Sequence, residues 1–503
     1  MERSLAGLVS SGIRQGLIVA TGSQPLERAE PSGEGEHRNL TRLTARAASI
    51  TGLRQAVSMG AGAVTTAVVA RILGPTPYGY YVGGLAAFQL ALAVCDIGFS
   101  LVVSREMAQS PEGRADLLRS VVRVSFTWSC VVALGLVVVA FATGVGSRGE
   151  VMLALAPGVL MAGLSPARQI FYVTFDMGKL LAVDVVSSFV QAGAMIAVAL
   201  LNLGIVAIAL AACSMYCAVP LVCLWLAKQT VGAGRGTPAL RMALLRMAVP
   251  LGIASLIASL YFTIDQVILT WIVSPAQLAH YAAAVKLLTL TVTIPGFIMQ
   301  AGLPTLARAK TDYDRLSDVT GRLTHWIAAT AFPLCVGLLV FAKPAINLVF
   351  GHEFLAAATL LRVLMVAGIL SLASNICGIV LSALAIVRPQ LIFNVITLCV
   401  NVIGNIVLVP RYGVIASAWL TVGCELIIVS YGVVMLRDRV SLPRVIAPSR
   451  GMFVATAGGA AAGIALHTST AIGAPLAATV FAALVVLLRA WPDDLLPARF
   501  ARS

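Results

Sequence analysis

Apolar runs of about 20 residues recur from position 52 almost to the end of the chain, separated by short polar segments rich in Arg, Gly and Pro. As a helix rising ~1.5 Å per residue, each run is long enough to cross a ~30 Å hydrocarbon layer. The pattern predicts about 14 spans, at 52–73, 79–104, 120–144, 150–174, 180–202, 204–227, 245–273, 279–305, 323–349, 359–387, 390–409, 413–436, 446–467 and 470–490. Residues 1–51, rich in Arg, Glu, Ser and Gly, read as a flexible tail without a cleavable signal, and 491–503 as a second short tail. The expected fold is therefore an all-α integral membrane protein.

Composition removes the soluble alternative. The 503 residues are 59% hydrophobic and 11% charged, against roughly 45–50% and about 25% in ordinary soluble domains. The net charge of +14 would suit nucleic acid, but the basic residues sit in short inter-span segments with no soluble domain to carry a binding face. They follow the positive-inside rule instead. With the N-terminal tail inside, 29 of the 35 Lys and Arg fall in inside segments. Only Arg71, Arg148, Lys343, Arg362 and Arg411 fall outside, and Lys286 lies within a span. An even span count places both termini in the cytoplasm. The nine cysteines lie inside apolar runs without a C-x-x-C pair and the five histidines are scattered, so neither metal nor cofactor is expected. The loops are too short for an extramembrane catalytic domain, and an enzyme is not expected.

The chain repeats itself. "ARILGPTPYGYYVGGLAA" at 70–87 aligns with "TWIVSPAQLAHYAAAVKL" at 270–287, pairing Pro75 with Pro275 and Tyr81 with Tyr281. A second trace pairs "KLLAVDVVSSFVQ" at 179–191 with "PQLIFNVITLCVN" at 389–401. Offsets of 200 and 210 imply two six-helix bundles, 52–228 and 229–440, related as a parallel repeat and followed by two further helices at 441–490.

With "CDIGFS" at 95–100, "FTIDQVILTWIVSPAQLAHYAAAVKLL" at 262–288 and "NVIGNIVLVPRYGVIASAWLTVGCEL" at 401–426, these stretches resemble the polysaccharide-export branch of the multidrug/oligosaccharidyl-lipid/polysaccharide superfamily, the Wzx-type flippases. The resemblance implies two bundles around a central cavity that opens alternately to either side. It implies a bacterial inner-membrane protein that moves polyprenyl-diphosphate-linked oligosaccharides, working beside membrane lipid, polysaccharide polymerase and glycosyltransferases. A cation-coupled drug exporter and a lipid II flippase of the same superfamily are rival readings. A membrane glycosyltransferase or polymerase is the rival from another class.

Candidate site residues are the polar groups within spans, because a charge in hydrocarbon costs about 2.5 kcal/mol or more and faces a cavity or a partner. Glu425, near the middle of its span, and Asp265 are candidates for ion coupling. Lys286 reads either as an ion-pair partner of Asp265 or as a cavity charge. Arg71 reads either as a snorkelling side chain or as a cavity cation for the diphosphate. Gln191, Asn394, Asn401 and Asn405 are candidate cavity-lining groups, with interhelical hydrogen bonding as the alternative use. Asp96 and Asp184 read as capping groups or as partners of Arg105 or Lys179.

Overall fold

The computed structural model describes residues 33–110, 112–142, 146–174, 176–232, 234–465, 470–488 and 490. Among them there is no strand; the helices are α1 (Gly33–Leu73), α2 (Pro75–Cys95), α3 (Phe99–Gln109), α4 (Arg114–Ala142), α5 (Ser147–Ala162), α6 (Gln169–Val173), α7 (Met177–Leu200), α8 (Gly204–Val231) and α9 (Pro238–Ile272). They continue with α10 (Pro275–Ala309), α11 (Tyr313–Val340), α12 (Ala342–Phe350), α13 (Ala357–Ala383), α14 (Val387–Tyr412), α15 (Ile415–Leu436), α16 (Leu442–Ile446), α17 (Arg450–Ala465) and α18 (Thr470–Leu487).

Over its described residues every predicted span falls mainly on helix, yet the count differs. Ten described helical segments are apolar and long enough to cross a membrane, or eleven when the bent pair Ser147–Ala162 and Ser165–Val173 is taken as one span. The remaining three expected spans fall on α9, α17 and α18. Within α9 and α18 the apolar described stretches are the shorter Thr263–Ile272 and Ala474–Leu487. The 16 residues of α17 rise only about 24 Å. The tail is shorter than expected too, because residues 33–51 belong to α1. Residues 1–32 and the tail at 491–503 lie outside the described residues.

Helix starts follow local chemistry. Pro75 and Pro275 both occupy first-turn positions, where a missing N–H costs nothing. Ahead of Pro275 a capping box closes on Ser274, whose hydroxyl accepts from the Gln277 N–H while the Gln277 side chain accepts from the Ser274 N–H. The span expected at 150–174 breaks at Gly163–Leu164, where the chain turns by 50° into a 3-10 turn at Ser165–Arg168. Gly163 is buried and packs on the Phe126 and Ser125 backbone, too close for any side chain.

Helix packing repeats between the two copies. In the first, α2 packs on α5, α5 on α4 and α8, and α7 on α8. In the second, α10 packs on α13, α13 on α11 and α15, and α14 on α15. The C-terminal pair α17 and α18 packs together, and α17 lies against α11 through Ala328, Ala329, Met452 and Ala455, with Phe332 and Phe453 edge to face at 4.9 Å.

The copies meet along α2 and α3 on one side and α9 and α10 on the other. Two glycines permit that seam. A Cβ on Gly79 would lie 1.8 Å from the Pro275 carbonyl oxygen, and one on Gly252 would lie 2.2 Å from the Ile97 carbonyl carbon. At ~1.5 Å per residue these contacts are roughly 27 Å apart along the helices, so the seam runs through most of a bilayer's thickness.

Candidate functional site

Ionisable groups lie buried or half-buried within both copies, and the sign differs between them. In the first copy Asp184, on α7 and 5% exposed, sits between two arginines. Arg54 of α1 pairs with its Oδ2, and Arg168 donates to the same oxygen at 2.6 Å, leaving Oδ1 buried without a hydrogen-bond partner. Arg54 also donates to the Tyr172 hydroxyl at 3.0 Å, and Ser188 Oγ bonds Ser58 Oγ at 3.0 Å just along the same helix pair. Arg168 is brought there by the break in the fourth span, at the end of the 3-10 turn that follows Gly163. Two guanidinium groups on one carboxylate leave one positive charge uncompensated. This overturns the expected pairing of Asp184 with Lys179 or Arg105. Lys179 instead bonds Asp176 at 2.7 Å, both side chains partly exposed.

The second copy is acidic. Asp265 of α9 accepts from the Tyr281 hydroxyl at 2.5 Å and from the Gln266 N–H at 2.8 Å. Tyr281 is fully buried on α10, and Ser417 of α15 donates to its oxygen at 3.3 Å. Glu425, 7% exposed on α15, accepts from Ser371 at 3.2 Å and from Ser374 at 2.7 Å, both on α13. Such hydroxyl donors compensate a carboxylate removed from water without neutralising it. At the repeat offsets Asp265 and Glu425 correspond to Thr65 and Met215, and Arg54 and Asp184 to Ala254 and Asn394. Neither cluster has a counterpart in the other copy.

The Asp265–Lys286 ion pair is not formed. In a hairpin, partners lie equally far from the turn. Asp265 is seven residues before the end of α9, Tyr281 six and Lys286 eleven after the start of α10, so Tyr281 meets the carboxylate. Lys286 is half-buried and makes no ion pair or hydrogen bond among the described residues.

Arg71 lies on the surface at the C-terminal end of α1, where Nε donates to the Val349 carbonyl at 2.9 Å and Nη2 to those of Asn347, at 3.1 Å, and Leu348. Gln191 donates to the Ala212 carbonyl of α8 at 2.7 Å, an interhelical bond. Asn405, fully buried, donates to Asn401 at 2.9 and 3.1 Å, which ties that face of α14 to itself. Asn394 is half-buried. Asp96 accepts from the Ser100 N–H and hydroxyl, as a capping group does. It borders an open cleft of about 260 Å³ lined also by Gly98, Ser100, Leu101, Ser104 and Gln169. Among the described residues no three of His, Cys, Asp and Glu stand together as metal ligands would.

The family model described as "Polysaccharide biosynthesis protein" matches residues 68–359, more than half of the chain. The chain belongs to that family. Among similar proteins, the teichuronic acid biosynthesis protein TuaB of Bacillus subtilis (strain 168) is 30% identical over 121 residues, which is 24% of this chain and 25% of TuaB. The chain thus matches about a quarter of that relative's length. Among solved structures, the lipid II flippase MurJ in its inward closed conformation superposes with a TM-score of 0.70 at 14% identity, covering 87% of this chain and 97% of that one. An inward-facing multidrug resistance MATE family transporter of the MOP superfamily gives 0.56 at 13% identity, over 78% and 98%. At such identities the likeness is one of fold, and that fold is an all-α membrane transporter's.

Arg54 and Arg168 are not candidates in the sequence, because near the inner ends of spans 52–73 and 150–174 both are accounted for by the positive-inside rule. The available signal was Asp184 itself. It lies seven residues into α7, about 10 Å, where a carboxylate needs a cation close by. Tyr281, Ser371 and Ser374 were missed because their partners depend on the helix register between sequence-distant spans.

Proposed function

We propose that this protein flips polyprenyl-diphosphate-linked oligosaccharides across the bacterial inner membrane by alternating access, for surface polysaccharide synthesis. Residues 52–228 and 229–440 are its two moving halves, and both termini are cytoplasmic. The observation that carries the reading is the opposite sign of the two buried clusters within a fold of this family. Arg54 and Arg168 offer an uncompensated cation to the diphosphate, which planar guanidinium groups bind through paired N–H donors. Asp265 and Glu425 offer hydroxyl-lined carboxylates to a driving proton or sodium ion. Lys286 and Asn394, both half-buried, line the path of the glycan. Arg71 holds helix ends in this state and does not face the cargo. Glycosyltransferases supply the cargo and a polymerase consumes it.

Reconstitution separates this reading from its rivals. Purified protein in liposomes is offered a fluorescent polyprenyl-diphosphate-linked oligosaccharide, fluorescent lipid II, a fluorescent organic cation, and a sugar donor with an acceptor lipid. Exchange of the lipid-linked oligosaccharide between leaflets is the expected result. Export of the organic cation without that exchange would identify a drug exporter, and exchange confined to lipid II would identify its flippase. Sugar transfer without exchange would identify a glycosyltransferase.

A further inference from the structure

Two arginines of the first half reach across the seam to backbone carbonyls at helix ends of the second. Arg71 gives its guanidinium to the carbonyls of Asn347, Leu348 and Val349, the last turn of the nine-residue α12. Arg148, near the start of α5, stacks over the Tyr80 ring at 5.7 Å and directs Nη2 at the Val273 carbonyl, the C-cap of α9, at 3.5 Å. The last carbonyls of a helix have no partner inside it, and the helix dipole makes that end negative, so a cation placed there is favoured twice. Between the two arginines the seam is tight. Tyr78 of α2 packs edge to face on Phe354 at 5.9 Å, both buried, and Gly79 lies on Pro275.

We propose that Arg71 and Arg148 are a releasable clasp that sets how long this end of the molecule stays closed during the transport cycle. They are positioning residues: they hold one half against the other and touch no cargo. Arg71 is at the surface, so water replaces its carbonyl partners when the halves part; Arg148 is half-buried and keeps the Tyr80 ring, which belongs to its own half. A guanidinium can span several carbonyls at once, which one ammonium cannot. The clasp also explains why two of the few outer cations predicted from the sequence are arginines at these positions. Trp271, which takes the place of Arg71 in the second copy, has a single N–H and no charge. The proposal rests on the alternating-access reading.

The test is the distance between spin labels at Thr76 and Lys343, both exposed, with Cys130, Cys217 and Cys399 replaced by Ala so that only the introduced pair reports. Wild type should give mainly a short, closed distance. Arg71→Ala with Arg148→Ala should raise the long-distance fraction about tenfold, a shift of ~1.4 kcal/mol, and Arg71→Lys should give an intermediate fraction. A double variant whose distances overlay those of wild type would overturn the proposal. If the double variant does not remain monodisperse, Arg71→Gln alone is read against the same criterion. A wild-type protein that fails to exchange lipid-linked oligosaccharide would count against the proposed function and leave the distance result standing.

Discussion

Asp184 shows how strongly one residue's meaning depends on its neighbours. Its carboxylate is buried between Arg54 and Arg168, and removing it leaves two like-charged guanidinium groups facing each other without a counter-ion, at a cost of about 3–5 kcal/mol. Asp184→Ala should therefore lower the thermal midpoint of the purified protein clearly. Lys179→Ala, which breaks only the exposed pair with Asp176, should cost less than about 1 kcal/mol. Equal midpoints for the two variants would remove Asp184 from the core of the first half. At this scale the sequence was legible for which groups matter and poor for whom they meet. Asp265 and Glu425 stood out because carboxylates in apolar spans are costly. The partner of Asp265 did not, because it depends on where α9 ends and α10 begins. A shift of a few residues in those bounds exchanges Lys286 for Tyr281.

Helices were the most readable scale, since a run of about 20 apolar residues has few other fates. What the runs could not show was interruption. The break at Gly163–Leu164 sits inside an apolar stretch that reads as one span, and its effect is to swing Arg168 towards α1 and α7. The repeated Pro75 and Pro275 were visible as a motif, but their role needs the neighbouring half. Gly79 packs on the Pro275 carbonyl so closely that any Cβ must push the halves apart. Gly79→Val should leave each half folded and prevent closure at this end. Labelling of a cysteine placed at Thr76 by a membrane-impermeant maleimide, already high because Thr76 is exposed, is the internal standard; labelling at Tyr78, buried in the closed seam, should rise several-fold in the Gly79→Val background. Unchanged labelling at Tyr78 would mean that the seam tolerates the added bulk.

For the whole molecule, duplication supplies two similar bundles and divergence gives them different charges. The first keeps Arg54, Arg168 and Asp184; the second keeps Asp265 with Tyr281 and Glu425 with Ser371 and Ser374. In the function we propose, the first half takes the anionic cargo and the second the driving cation. Residues of both halves then work on one cycle from separate places, and their loss should look different. The direct measurement is the leaflet-exchange rate of a polyprenyl-diphosphate-linked oligosaccharide in proteoliposomes, with and without an imposed proton or sodium gradient. Arg168→Gln leaves Asp184 paired with Arg54, so the fold survives the substitution; exchange should fall about tenfold or more whether or not a gradient is present. Asp265→Asn should retain the gradient-free rate and lose the acceleration that a gradient gives wild type. If instead both variants exchange the lipid at wild-type rates under both conditions, or both fail in the same way, the division of labour between the halves is contradicted.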